Sequence, residues 1–414
     1  MRQAASLALL LVLACTKVPA GGQADAAVCE CAPAAAAPAG PPALKNLRSE
    51  PTAAGQHVTP LKVCEARGRL PLEAAREYFD QGRFEQALSC AAQASALMPS
   101  DVLAHVERAN ALAALDRTDE ARLAYARALA VDPDSLDALF GAAHLYVVQL
   151  PSTRELDELG SLYADRGFEL AQAQHDPELS LSFARLAAMA YNDVGQPREA
   201  LERADWVLDR KKGDPEALYE RASALFELCR FDEARPAFEA LLKDPERAAF
   251  AHRHLGLVLE RQGKQAEADR HLQAATRLDP KGIPPAVLLA PEEFRNELAA
   301  AVANLPADMR RDLQGVPVQM EDLPALADLT ANDPPLSPQI LGLFRGPPLG
   351  EACELLPDGG VEDPCRSVVL YRRNLARAVR TREELVEQIR VTLLHEIGHL
   401  RGEDDGELAA RGLE

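Results

Sequence analysis

From Leu70 to about Pro280, small residues return at fixed offsets among charged and large apolar positions. Ala75, Ala87, Ala94 and Pro99 form one set, Ala109, Ala121, Ala128 and Pro133 a second, and Gly256, Ala268, Ala275 and Pro280 a third. The internal spacings are 12, 7 and 5 each time, and the first two sets lie 34 residues apart. Ala188, Ala200 and Val207 keep the first two spacings, as do Ala222, Ala234 and Leu241. Large residues, Tyr78, Leu112, Tyr125, Tyr191, Phe238 and Leu259, sit on the complementary face. Asp132-Pro133, Asp214-Pro215, Asp244-Pro245 and Asp279-Pro280 break the chain between units, because the residue before proline is pushed out of the helical region. The pattern predicts a repeated helical unit. Between Ala142 and Pro177 the spacing fails, which predicts an insertion or a degenerate unit.

After Pro280 the texture changes. Ile283-Pro284-Pro285 marks a boundary, and a helix is expected from about Glu292 to Asn304. Val316-Pro317-Val318 and Leu341-Gly342-Leu343-Phe344 read as short strands. Arg366 to Arg372, β-branched and aromatic, is the best strand candidate. Within it, Val368 to Tyr371 reads either as an edge strand open to an extended peptide or as a core strand. Arg372, Arg373, Arg377 and Arg380 read as a solvated face. Thr381, with Glu384 three residues on, forms a capping box that starts a helix through Leu385, Ile389, Leu393 and Leu394. The fold expected is an α-helical repeat array over residues 66–282, followed by a small α+β domain over 283–414.

Charge and cysteines narrow the setting. A net charge of −19 over 414 residues argues against a nucleic-acid partner, since phosphate binding needs a basic face. Met1-Arg2 followed by an uncharged run from Ala4 to Ala14 suits a signal-peptide core, too short for a spanning helix. Leu11-Val12-Leu13-Ala14-Cys15 resembles the bacterial lipobox, which implies acylation at Cys15 and a membrane anchor. Cleavage after Ala20, or an uncleaved anchor, also places the protein outside the cytoplasm. Thr16 stands where inner-membrane lipoproteins carry Asp, so an outer-membrane location is favoured. Residues 16–65, rich in Ala, Pro and Gly, read as a disordered tether. Cys353 and Cys365 flank Pro357-Asp358-Gly359-Gly360 and are candidates for a disulfide across that turn.

The chemistry lies in Leu394-His395-Glu396-Ile397-Gly398-His399. Four residues advance a helix by about one turn, so His395 and His399 can both reach one ion. Neutral imidazoles suit zinc, which leaves Glu396 to move protons between water and a leaving amine. No histidine follows His399. The remaining oxygen donors are Glu403, Asp404, Asp405 and Glu407, and a reversal at Gly402 would return Asp405 to the ion. Tyr371 is a candidate oxyanion donor.

Two family resemblances follow from these residues. The 12-7-5 spacing resembles the tetratricopeptide repeat, whose concave surface implies a protein or peptide partner; bracing of the next domain is the plainer role. From about Ile283 onward the chain resembles the small bacterial zincin-like metallopeptidases. Pro291-Glu292-Glu293-Phe294, Met320-Glu321-Asp322-Leu323-Pro324, Leu341 to Gly346, Val369 to Arg372 and the histidine motif carry that likeness. It implies zinc on His395, His399 and Asp405, with Glu396 as general base. Leu400-Arg401 departs from the family, where His and Phe are commoner. The function expected is an envelope zinc peptidase with a partner-binding array; the alternative is a scaffold lipoprotein whose zinc domain is structural or vestigial.

Overall fold

The computed structural model describes residues 63–66, 68–353 and 364–413. Cys15, nearly all of the tether and the Pro357-to-Gly360 turn lie outside the described residues. Helices pair along the array: α1 (Pro71–Asp80) with α2 (Phe84–Leu97), α3 (Val102–Ala114) with α4 (Thr118–Val131), then α5 (Leu136–His144) with α6 (Arg154–Ala173). The pairs continue as α7 (Pro177–Asp193) with α8 (Pro197–Arg210), α9 (Pro215–Glu227) with α10 (Phe231–Leu241), and α11 (Ala248–Arg261) with α12 (Gln265–Leu278).

The small residues of the periodic pattern lie where the helices cross. Ala87, Ala94, Ala109, Ala121, Ala128, Ala268 and Ala275 are fully buried or nearly so, as are Ala188, Ala200 and Val207 of the looser copies. At Gly256 a Cβ would stand 2.6 Å from Leu272 Cγ, so α11 and α12 approach as closely as a bare backbone allows. Caps fix the starts of several units. Asp101, Asp176 and Asp214 each accept backbone amides of the first turn that otherwise lack partners. The expected irregularity is an α5 that widens into a π-turn at Leu145–Gln149, followed by a 20-residue α6. A disulfide between Cys64 and Cys90, which the sequence reading did not single out, ties the entering chain to α2.

Beyond the array come α13 (Pro291–Ala303), α14 (Ala307–Asp312), β1 (Val318–Glu321), α15 (Leu326–Leu329), β2 (Gly342–Arg345) and β3 (Ser367–Tyr371). They are followed by α16 (Arg372–Ala378), α17 (Arg382–Arg401) and α18 (Asp405–Ala410). The sheet order is β1-β3-β2, with β1 parallel and β2 antiparallel to β3. Val368 to Tyr371 therefore form the central strand, wholly buried, and β2 is an edge. Val368 and Leu370 pack on Leu385, Ile389, Leu393, Ile397 and Leu400 of α17, whose i, i+4 spacing makes one apolar stripe. Thr381 accepts the Glu384 amide at the start of that helix.

The arginines after β3 depart from expectation. Only Arg380 is exposed. Arg372 is buried, donating to Asp322 at 2.8 Å and to the Leu289 carbonyl at 2.7 Å. Arg373 and Arg377 reach across to the array, where both bind the buried carboxylate of Glu260 at 2.6 and 2.7 Å. The physical reason is that α16 packs between its own sheet and α11, so its cations face an acid rather than water. A run of arginines reads as solvated when the partner acid lies 113 residues earlier in sequence.

Candidate metal centre

The last two turns of α17 carry His395, Glu396 and His399, and their placement starts from the helix itself. The two imidazoles project from successive turns, so their Nε2 atoms stand 3.0 Å apart. Each ring is fixed from behind: His395 Nδ1 lies 2.6 Å from the Leu413 carbonyl and His399 Nδ1 3.0 Å from the Glu403 carbonyl. A carbonyl only accepts, so each Nδ1 carries the hydrogen when the ring is neutral, and both Nε2 lone pairs point at each other. Two lone pairs at that distance repel unless something positive lies between them.

Gly402 ends α17 in the left-handed conformation, at φ +87°, which turns the chain back along the helix. Leu408 of α18 then packs on Gly398, where a Cβ would stand 2.2 Å from Leu408 Cδ2; a side chain at 398 would push α18 away. The returning segment sets Asp405 Oδ1 3.5 Å from His395 Nε2 and 3.2 Å from His399 Nε2. The other acids of the cluster are already engaged. Asp404 and Glu407 form the capping box of α18, each accepting the other's amide, and the Glu403 carboxylate pairs with Arg411.

The three donor atoms lie within 4.8 Å of one another. A tetrahedral ion with bonds near 2 Å spaces its ligands roughly 3.3 Å apart, so separations of 3.0, 3.5 and 3.2 Å fit. The donor set, two neutral nitrogens and one carboxylate oxygen, also suits zinc. The Asp405 side chain is 81% exposed, so the site is open to solvent on that side.

Glu396 lies on the other flank, buried at 5% exposure. Burial pushes its carboxyl up to about 8, reinforced by the Asp405 charge and opposed by a hydrogen bond from the Phe344 backbone. Gly342 of β2 covers it, with a Cβ at that position falling 2.7 Å from Glu396 Oε1 and from Thr392 Cγ2. Glycine inside a strand is the sequence signal for such an approach. Tyr371 is fully buried in β3, and its hydroxyl has no hydrogen-bond partner among the described residues. Burial raises its pKa, and the charges around it are Arg345, Asp328, Glu321 and Glu396.

Cys353 and Cys365 are disulfide-bonded between β2 and β3. Arg366 laces the same loop together through the carbonyls of Pro347, Pro348 and Glu351, and the Leu349 amide donates to the Leu400 carbonyl at 2.7 Å. Arg401, the departure from the family pattern, pairs with Asp308 and Asp312 of α14.

The family described as zincin-like metallopeptidase matches residues 313–413, which contain this whole constellation. Over that range the C-terminal domain is similar to the zincin-like metallopeptidases. The tetratricopeptide repeat family matches residues 72–138, 185–234 and 219–283, and the stretch it leaves out holds most of the irregular α5–α6 unit. Among solved structures, the chain is similar to YrrB, described as a TPR protein with an unusual peptide-binding site, at 20% identity and TM-score 0.37 over 46% of this chain and 93% of that one. It is also similar to PilF of Pseudomonas aeruginosa, at 18% identity and TM-score 0.41 over 51% and 91%. PilW, a type IV pilus biogenesis factor, gives 18% identity and TM-score 0.41 over 51% and 93%. No curated protein gives a significant match to the chain.

Proposed function

We propose that the protein is a zinc-dependent peptidase whose repeat array binds protein or peptide partners, substrates among them. The observation that carries this reading is the convergence of His395 Nε2, His399 Nε2 and Asp405 Oδ1, with the rings locked through Nδ1 and Glu396 buried beside them. A zinc ion there would supply the Lewis acidity that makes water nucleophilic near neutral pH. The charge of that ion would favour the carboxylate form of Glu396, which could then take a proton from the attacking water and return it to the departing amine. β2, an edge strand lying on Glu396, offers unpaired backbone groups to an extended substrate. Peptide binding by the array is supported by its repeat architecture, whose inner helices present an extended concave face.

The same reading places the protein outside the cytoplasm, tethered through acylated Cys15 and a linker. Two disulfides among the described residues, Cys64–Cys90 and Cys353–Cys365, favour an oxidising compartment. Metabolic labelling with an alkyne fatty acid should mark the wild type and not Cys15→Ala.

The peptidase reading is tested by comparing proteome-wide cleavage by wild type and Glu396→Gln, each with and without chelator. Cleavages lost both in the variant and on chelation are expected. Bound zinc without any such cleavage would instead mark the domain as a structural part of a scaffold.

A further inference from the structure

Between α15 and β2 the chain leaves the C-terminal domain's own layers and runs as residues 332–340 along the array. The stretch reads Asn332-Asp333-Pro334-Pro335-Leu336-Ser337-Pro338-Gln339-Ile340. Its own domain holds it through Asn374 on the Pro338 and Ile340 carbonyls and through the Leu336 amide on the Leu329 carbonyl, and side chains of the array meet it as well. Asp333 pairs with Arg198 at the start of α8. The Leu336 carbonyl accepts from Cys229 Sγ, and the Pro338 carbonyl accepts from Arg261 of α11, which also binds the Pro324 carbonyl. The Gln339 carboxamide is read at both ends: it donates to Glu227 of α9 at 3.2 Å and accepts from Arg253 of α11 at 3.2 Å. Backbone carbonyls, one carboxylate and one carboxamide are thus each matched by a side chain of the array. This is recognition of an extended peptide, carried out within one chain.

Room remains beside the strap. A cavity of about 620 Å³ lies between it and the first helices of the last three units, lined by Met189, Tyr219, Phe250 and His254 with Pro334 and Pro335. The groove is therefore wider than the segment that now lies in it.

We propose that the groove of α7, α9 and α11 is a binding surface for an extended, proline-containing peptide bearing an acid and, six residues on, a carboxamide, and that residues 332–340 occupy it in cis. A partner peptide of that chemistry and the strap exclude each other. The inference deepens the partner-binding half of the reading above and is independent of the peptidase half. A tethered segment has a high effective concentration, on the order of millimolar for short connections, so a partner in trans must overcome it.

The test uses the whole chain and a fluorescein-labelled nonapeptide of the sequence of residues 332–340. Wild type should bind it weakly, because the strap is in place. Gln339→Ala in the chain should raise affinity for the labelled peptide at least tenfold, and adding Glu227→Ala should abolish that gain. Equal binding by all three proteins, or no binding by the Gln339→Ala chain with its helical circular dichroism intact, would overturn the proposal. Hydrogen exchange on the wild type decides independently of any variant. Excess unlabelled nonapeptide should speed exchange at Leu336, Ser337 and Gln339, whereas a scrambled peptide should not; unchanged protection at millimolar peptide would also refute it.

Discussion

Gly342 and Glu396 stand closer than a side chain at position 342 would permit: a single methyl added to Gly342 would sit 2.7 Å from Glu396 Oε1 and equally close to Thr392 Cγ2. The edge strand and the candidate general base are thus in direct contact, and the position of one sets that of the other.

Gly342→Ala should therefore act on catalysis without acting on the metal. Relief requires either rotation of Glu396 or a shift of β2, and overpacking of this kind costs about 1–3 kcal/mol. Turnover of a peptide substrate should fall by at least tenfold. Zinc affinity measured by chelator competition should stay within about twofold, since the three donor atoms lie on the helix and on the segment after Gly402. Equal losses of metal and turnover would show that β2 holds the site together as a whole.

Stability should depend on pH through a buried acid of the array. Glu220 is buried, and burial pushes its carboxyl from the ordinary 4.5 up to about 7, opposed by a hydrogen bond from Asn192. An acid whose folded pKa is raised contributes fully while both states are protonated, below about 4.5, and loses that contribution as pH rises through about 7. Asp193, pushed up to about 6 by burial, titrates in the same direction. Glu220→Gln keeps an acceptor for Asn192 and removes the titration. At pH 8 it should be more stable than wild type by on the order of 2–3 kcal/mol, and at pH 4 nearly equal to it. Urea unfolding at the two pH values measures the difference; a constant offset would exclude Glu220 as its source.

Glu260 is expected to be the residue on which the packing of the C-terminal domain against the array most depends. Its carboxylate is the shared partner of Arg373 and Arg377, and Asp322 also holds Arg373 but not Arg377. Removing one member of a buried ion pair leaves the other charge uncompensated, so Glu260→Ala should destabilise by on the order of 3 kcal/mol. In thermal unfolding the C-terminal core and the array should then separate into two transitions. A single transition shifted by a few tenths of a degree would contradict the assignment.

How much of this was legible in the sequence depends on the range of the interaction. Repeats declared themselves because close helix crossings recur at fixed spacing, and each one admits only small residues. The facing of His395 and His399 follows from one helical turn, and the reversal at Gly402 from a glycine placed where a helix could stop. Contacts between distant segments left no such trace. Nothing local distinguishes Arg377 from a solvated arginine, because Glu260 lies 117 residues away. Pro334 and Pro335 carry no local sign of their contacts, since an extended strap bound through its carbonyls needs no periodicity of its own. Strand order was equally hidden: β3 is buried at every position because both of its edges and both of its faces are covered, and a short run cannot announce that.

The division of labour within Glu403, Asp404, Asp405 and Glu407 leads to the sharpest test of the metal centre. Only the Asp405 carboxylate points at the imidazoles, whereas Asp404 and Glu407 cap α18 and Glu403 pairs with Arg411. Altering a group outside a ligand set costs roughly 10–100-fold in metal affinity, so loss of a charged donor should cost at least the upper end of that range. Asp405→Ala is expected to weaken zinc by about a hundredfold or more, and Asp405→Glu to recover part of it, because one added methylene moves the oxygen relative to a site with bonds near 2 Å. Asp404→Ala should act differently. It removes a cap worth about 1 kcal/mol, frays the first turn of α18 and lowers affinity only as far as Asp405 becomes mobile, by about tenfold at most. Chelator competition on the whole chain, with circular dichroism to monitor helix content, separates the two effects. If Asp404→Ala or Glu407→Ala abolished zinc binding while Asp405→Ala left it intact, the oxygen donor would have been misassigned, and the reversal after Gly402 would have to present a different side of α18 to the histidines.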